Sequence, residues 1–288
     1  MSDRPPLREV IARHGLDARR SLGQHFLLDA NLTARIVRAA GDLRGRHVIE
    51  IGPGPGGLTR ALLDTEPLSV TAVEIDPRAV AAIEELAARD PRLSVLACDA
   101  MQIDLAAQAA APRQVVANLP YNLASPLLVK LLRRAAAFER LTLMFQQEVA
   151  ERICAPPASA AYGRLSVLAQ WTCDAEIALR VPAAAFVPPP KVASAVVSLT
   201  PRAVQPDATM FARMERLTAA AFGQRRKMLR SALKPVGGNA LLRAAAIDPE
   251  RRAETLTVGE FNRLLTSPAL TLTLDREEDR GEAPRHRG

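Results

Sequence analysis

The sequence predicts an α/β fold followed by a small all-helical module, and three observations carry that expectation. Short runs of strand character recur along the first half of the chain with helical patterns between them. Chemistry-bearing residues stand at the ends of four of these runs. Beyond about residue 205 the pattern is helical and basic. Strands alternating with helices build a parallel sheet covered on both faces. Such sheets bind ligands at the carboxyl ends of their strands. A chain of 288 residues has room for one large domain and one small one, since domains run to roughly 100–200 residues. The expected division is 1–204, 205–274, and a charged tail, 275–288, whose composition is that of disordered segments.

The elements follow in order. The first 20 residues are polar and basic with weak helical patterning. Asp29 is placed to cap a helix through Ala30–Arg38, and Gly41 stands where a helix ends. His47–Gly52 is the first strong strand, followed by a glycine-rich turn and a helix from about Leu58. Val70–Ile75 is a second strand, and Asp76-Pro77 opens the next helix, with Asp as cap and Pro in the first turn. Leu93–Cys98, Gln114–Asn118 and Leu141–Phe145 read as further strands, with helices over 125–135 and 147–154. Residues 174–181 and 193–200 read as two more, joined by the proline-rich Val187–Pro190. Helices are then expected near 208–221, 224–234 and 238–246.

Bulk composition excludes several classes. No stretch approaches the ~18 consecutive apolar residues of a membrane span, and no apolar region follows the basic N-terminus as in a secretory signal. Cys98, Cys154 and Cys173 are odd in number and far apart, which argues against a disulfide framework and a zinc site, and no metal is expected. A cytoplasmic protein is the simplest expectation. The net charge of +7 is concentrated: residues 202–252 hold 11 Lys and Arg against 4 Asp and Glu, and the rest is balanced. A basic module on a neutral one suggests a polyanionic partner, though a solvated basic face would look the same.

The turn Glu50-Ile51-Gly52-Pro53-Gly54-Pro55-Gly56-Gly57 lets a backbone turn tightly and a ligand approach closely. Glu74, ending the next strand, can accept from both hydroxyls of a ribose. A dinucleotide site has the spacing G-x-G-x-x-G and seats a pyrophosphate on a helix N-terminus. Here the spacing is G-x-G-x-G, and Glu50 stands beside it. That acid would repel a pyrophosphate but suits a ligand with a cationic sulfonium and an ammonium. Asp99, after the third strand, is placed to accept from an adenine amino group. The spacing, Glu50 and Asp99 thus favour S-adenosylmethionine over NAD, with cofactor contacts expected at Gly52, Gly54, Glu74, Ile75, Asp99 and Ala100. A dehydrogenase is the alternative, but none of His14, His25, His47 and His286 stands near a fourth-strand loop to serve it.

Asn118-Leu119-Pro120-Tyr121 follows the fourth strand. Alone it also reads as a capped turn stiffened by proline. Beside a methyl donor it fits one chemistry. The N6 lone pair of adenine is delocalised into its ring, so the amine is a poor nucleophile. Two acceptors aimed at its N–H groups, the Asn118 side-chain oxygen and the Pro120 carbonyl, would free that lone pair. Tyr121 can stack on the base and hold it in line. Positioning and electrostatics then supply most of the catalysis, and the base must leave its stack to be reached.

Gln24-His25-Phe26-Leu27, Glu50–Gly57, Asn118–Asn122, Phe186–Ser194 and Phe222-Gly223-Gln224-Arg225-Arg226-Lys227 together resemble the ribosomal RNA adenine dimethylases, over roughly residues 20–265. The resemblance implies a Rossmann-like class I methyltransferase sheet with an all-α C-terminal domain. It implies dimethylation of N6 on two adjacent adenines in the 3′-terminal hairpin loop of small-subunit (16S) rRNA, linked to small-subunit maturation. The partners implied are that rRNA and the immature small subunit, met by a monomer. Leu27, Gly52, Glu74, Asp99 and Asn118 would then contact the cofactor, and Phe186 would stack on the target adenine opposite Tyr121. The family usually has Asn where this chain has His25; a neutral His can keep one such hydrogen bond.

On a continuous helix over Phe222–Lys234, Arg226, Lys227, Arg230 and Lys234 span an arc of about 100°. Phe222, Met228, Leu229, Ala232 and Leu233 take the other side. That cationic face would track phosphates. Aromatic residues are only 3% of the chain, so shape and backbone readout is expected from this module rather than base stacking. Two other functions stay open at this point: an adenine methylase on large-subunit rRNA or DNA, and a non-catalytic RNA-binding assembly factor.

Overall fold

The apolar, β-branched runs form strands, and most of their residues are fully buried, among them Val48, Ile49, Val70, Val115, Val116, Leu141, Leu143, Val196 and Val197. A computed structural model describes residues 4–16, 25–224 and 226–270. Its strands are β1 (Phe26–Leu27), β2 (His47–Ile51), β3 (Ser69–Glu74), β4 (Leu93–Ala97), β5 (Arg113–Asn118), β6 (Arg140–Gln146), β7 (Cys173–Val181), β8 (Phe186–Val187) and β9 (Ser194–Pro201). Its helices are α1 (Leu7–Arg13), α2 (Ala30–Ala39), α3 (Gly57–Leu63), α4 (Pro77–Ala87), α5 (Ala124–Leu132), α6 (Gln147–Ile153), α7 (Arg164–Thr172), α8 (Ala208–Phe222), α9 (Leu229–Ala232), α10 (Gly238–Ala244) and α11 (Val258–Leu265).

Seven strands make one sheet in the order β4-β3-β2-β5-β6-β9-β7. β2 to β6 run parallel, and β9 enters antiparallel between β6 and β7. From β2 the chain winds outward through β3 and β4, then returns to the other side of β2 for β5 and β6. Strand order therefore reverses between β2 and β5, and such a switch point opens a crevice at the strand ends. β1 and β8 form a separate antiparallel pair, with Phe26 opposite Val187 and Leu27 opposite Phe186.

Two helix starts follow from their caps. The Asp29 carboxylate accepts the Asn31 N–H, and Asp76 accepts the Arg78 N–H with Pro77 in the first turn. Each satisfies one of the donors a helix start leaves open. Gly41, at φ +81°, ends α2 in the left-handed conformation.

Among the described residues the chain divides into two compact units. The first comprises the residues up to Cys154 with Thr172–Gln205, and the second Ala155–Trp171 with the residues from Pro206 onward. Residues 155–171, expected inside the first domain, thus go with the helical module. Trp171 Nε1 donates to Asn262 Oδ1 at 3.1 Å, and the Ala158 N–H to the Glu254 carbonyl at 2.7 Å. Phe222 stacks on Phe261, with ring centroids 5.7 Å apart, and meets Tyr162 edge-on.

The helix expected over 224–234 does not form as one element. α8 runs on to Phe222, Met228 is extended at φ −66° and ψ 154°, and α9 is a single turn. Pro235 then sits in a 3-10 turn, Lys234–Val236, closed by Gly237 at φ +115°. A residue before proline is disfavoured in the α region and proline has no N–H to donate, so the turn cannot lengthen. The common cationic arc is therefore not formed, and Met228 is exposed rather than packed. Arg226 and Lys227 lie in the connecting turn, Arg230 on α9 and Lys234 beyond it, all four exposed. Arg225, Gln24 and the tail 275–288 lie outside the described residues. No helix among the described residues is long and apolar enough to cross a membrane.

Candidate active site

A cavity of about 470 Å³ opens at the switch point, within the roughly 300–1,000 Å³ usual for small-molecule sites. Glu50 pairs with Val116 across β2 and β5, so two residues further on Gly52 and Asn118 stand side by side. Both line the cavity, with His25, Leu27, Gly54, Glu74, Ile75, Leu119, Pro120 and Tyr121. Asp76, Arg78, Asn122 and Leu123 also line it and are not among the expected site residues. Asp99, Ala100 and Phe186 do not line it.

The glycine turn is tightly held. Gly54 is left-handed at φ +54°, and a side chain there would come within 3.2 Å of the Phe26 ring. At Gly57 a Cβ would stand 2.5 Å from the Leu27 carbonyl oxygen, so β1 crosses the start of α3 at a distance only glycine allows. The Glu74 carboxylate ties this turn to the next. It accepts from Gly54 N–H at 3.2 Å, Ile75 N–H at 2.8 Å and Asp76 N–H at 2.9 Å.

Among the described residues, three carboxylates, Glu50, Glu74 and Asp76, face this space, against one guanidinium, Arg78. Arg78 is already held by Asp76 at 2.6 Å and by the Gly15 carbonyl at 2.6 Å. Glu50 is only 1% exposed, and its Oε2 has no hydrogen-bond partner among the described residues. Burial pushes its carboxyl up to about 8; the Thr59 hydroxyl opposes the shift and the nearby Glu74 charge adds to it. The cavity therefore favours a cation and disfavours a pyrophosphate.

Asn118 ends β5, and its side-chain amide donates to the His25 carbonyl at 3.3 Å. The Pro120 carbonyl accepts the Leu123 N–H at 3.0 Å, leaving it one lone pair for a ligand. The Tyr121 hydroxyl pairs with the Ser194 hydroxyl at 2.7 Å; burial raises its pKa, and this hydrogen bond lowers it.

His25, expected away from the fourth-strand loop, instead packs against it and joins three segments. Its Nδ1 lies 2.8 Å from the Pro188 carbonyl, which can only accept, so Nδ1 carries the proton. Its ring stands 5.5 Å from the Tyr121 ring and edge-on, at 6.4 Å, to the Phe186 ring. Phe186 itself is 1% exposed. The β1–β8 pair brings His25 and Phe186 together, a pairing of two-residue strands that sequence reasoning missed.

Asp99 and Ala100 stand on the turn after β4. Ala97 pairs with Glu74, so Asp99 lies two residues beyond the strand position opposite that carboxylate. Asp99 Oδ1 accepts the Met101 N–H at 2.8 Å.

Comparison with known proteins gives the family. Residues 15–269 match the family model of the ribosomal RNA adenine dimethylases. The chain is 62% identical over 261 residues to "Ribosomal RNA small subunit methyltransferase A" of Gluconobacter oxydans (strain 621H), covering 90% of this chain and 86% of that one. It is 59% identical to the protein of that name from Paramagnetospirillum magneticum, over 91% and 94% of the two chains. Among solved structures, a dimethyladenosine transferase from Plasmodium falciparum superposes with a TM-score of 0.72 at 26% identity, covering 88% of this chain and 98% of that one. The 23S rRNA methyltransferase ErmE superposes with a TM-score of 0.64 at 26% identity, over 85% and 99%.

Proposed function

Since the chain belongs to the ribosomal RNA adenine dimethylase family, we propose that it moves methyl groups from S-adenosylmethionine to N6 of two adjacent adenines in the 3′-terminal hairpin loop of small-subunit rRNA. The small-subunit assignment follows the names of relatives at 59–62% identity. The single observation that carries the chemistry is the orientation of Asn118. With its amide nitrogen committed to the His25 carbonyl, its Oδ1 is left as an acceptor at the cavity edge.

The residues present fit the cofactor. Glu50, with a buried carboxylate oxygen and no partner for it among the described residues, offers an acceptor to a cationic group. Gly52, Gly54 and Leu27 would lie along the ligand, and Glu74 would receive its ribose. Ile75 is 68% exposed beside the cavity and offers apolar surface to an adenine ring, with Asp99 and Ala100 at its amino edge. When bound, S-adenosylmethionine supplies an electrophilic methyl on a sulfonium.

The chain's own residues prepare the nucleophile. Asn118 Oδ1 and the second lone pair of the Pro120 carbonyl accept the N6–H groups and draw the nitrogen towards tetrahedral geometry. Leu119, 2% exposed, anchors the loop in the core between them. Tyr121, braced by Ser194, presents its ring to the base. Phe186, 1% exposed with the His25 ring edge-on to it, would meet the base on the face opposite Tyr121. Methyl transfer leaves N6 cationic, and it sheds one proton to solvent; N6 then keeps a single hydrogen, so the second round uses one of the two acceptors. Arg226, Lys227, Arg230 and Lys234 supply phosphate contacts in the helical unit, and the substrate is the immature small subunit, engaged by a monomer.

Purified protein with labelled S-adenosylmethionine should label immature small subunits that lack the modification. Label on large-subunit RNA instead would support the alternative substrate. RNA binding without transfer would support an assembly factor.

A further inference from the structure

Lys130 stands in the last turn of α5, the helix that starts directly after the Asn118–Leu123 loop. Its ammonium donates to three backbone carbonyls, Ala100 at 2.8 Å, Met101 at 2.8 Å and Ile103 at 2.6 Å. An ammonium has three N–H groups, and a single turn of chain takes all of them. The same turn is closed at its other end by Asp99. Oδ1 of Asp99 accepts the Met101 N–H at 2.8 Å, and its carbonyl accepts the Gln102 N–H at 2.9 Å. The turn thus has Asp99 taking N–H groups at its start, one on its carboxylate and one on its carbonyl, and a cation gathering carbonyls at its end.

Carbonyl dipoles aimed at one point repel one another unless a positive charge stands there. Hydrogen bonds from a charged donor are also roughly twice as strong as neutral ones. Lys130 therefore fixes the peptide orientations of residues 100–103, and through them the placement of Asp99 and Ala100. The connection crosses the switch point: the turn follows β4 on one side of β2, and α5 follows β5 on the other. One side chain fastens the turn after β4 to the helix that follows the Asn118–Leu123 loop.

We propose that Lys130 is a positioning residue for the adenine end of the cofactor, holding Asp99 and Ala100 in place by closing the turn between them and α5. This rests on the reading that Asp99 receives the cofactor's adenine amino group.

Lys130→Met keeps the stem and removes the charge. By calorimetry its Kd for S-adenosylhomocysteine should rise about tenfold, in line with losing a charge-assisted bond network. The KM for S-adenosylmethionine should rise in parallel, while kcat at saturating cofactor stays within about twofold of the parent. In ligand-free protein the Met101 and Gln102 amides should exchange faster with solvent. Lys130→Arg should restore most of the affinity. The parent should bind S-inosylhomocysteine, which lacks the adenine amino group, more weakly than S-adenosylhomocysteine, and that difference should shrink in Lys130→Met. An unchanged Kd with only a lower melting temperature would overturn the proposal, as would a fall in kcat at unchanged KM. If the parent binds neither ligand, the cofactor reading fails instead, and the exchange of the two amides still reports whether Lys130 orders the turn. Should Lys130→Met not fold, Lys130→Gln carries the same comparisons.

Discussion

The Asn118 side-chain amide donates to the His25 carbonyl oxygen at 3.3 Å, joining residues 93 positions apart. The bond fixes which end of the amide faces the cavity. Asn118→Ala should lower kcat by about 10²–10³, the usual loss for one preorganised polar group at the reacting centre, with RNA affinity unchanged. Asn118→Asp retains an acceptor but sets a carboxylate against the His25 carbonyl, so it should fall nearly as far. Single-turnover methyl transfer checks both. An Asn118→Asp enzyme of parental rate would mean that the bond to His25 does not orient the amide.

Gly57 and Leu27 set the distance between the glycine turn and β1. A Cβ at Gly57 would lie 2.5 Å from the Leu27 carbonyl, a contact that no side-chain rotation relieves. Gly57→Ala should destabilise by about 1–3 kcal/mol, the range for overpacking, lowering the melting temperature by several degrees. It should also weaken cofactor binding, because β1, directly after His25, carries Phe26 and Leu27 into the cavity wall. Gly163→Ala is the control. Its Cβ would meet nothing within 4 Å, and it should melt with the parent. Equal melting of the two variants would show that β1 yields freely.

Much of the sheet was legible because its signals are local. Runs such as Val48–Ile51 and Val70–Val73 need only their own sequence to read as strands, and Asp29 and Asp76 cap their helices through residues two positions away. The family's fold and activity were legible in the motifs themselves. What escaped depends on distant or backbone partners. β1 and β8 are two residues each and exist only as a pair. Residues 155–171 open with two prolines and small residues, a loop signature, while their place is set by contacts such as Trp171 with Asn262. The three acceptors of Lys130 are carbonyls, which every residue has, so no residue type betrays them. The basic segment has the amphipathic spacing of one helix, but Met228 is extended and Pro235 stands in a 3-10 turn, so a single α turn forms between them.

That correction changes what the basic residues should do. Arg226, Lys227, Arg230 and Lys234 sit on a turn, a one-turn helix and a 3-10 turn, so they meet phosphates separately rather than along one face. Each phosphate contact contributes roughly 0.7–0.9 to the slope of log K against log salt. Replacing all four by alanine should flatten that slope by about 3, measured by anisotropy on the rRNA hairpin. Arg230 already lies 3.5 Å from Glu250 and must exchange one partner for another, so its single substitution should have the smallest effect. An unchanged slope would move the RNA interface off this segment.

Glu50 gives the site a pH dependence whose sign can be worked out. Burial raises its carboxyl from an ordinary 4.5 to about 8, so between those values the folded protein holds a proton that the unfolded chain has released. Stability should therefore fall as pH rises through that window, and Glu50→Gln should remove this part of the dependence. Ligand binding runs the other way. A cationic ligand favours the carboxylate, so at pH 7 its binding should expel close to one proton from the parent protein and none from Glu50→Gln. Calorimetry in buffers of different ionisation enthalpy reads this directly, and affinity should rise with pH until Glu50 is ionised in the free protein. Equal proton release by parent and variant would place the titrating group elsewhere, and Glu50 would then be a buried acid that the ligand does not address.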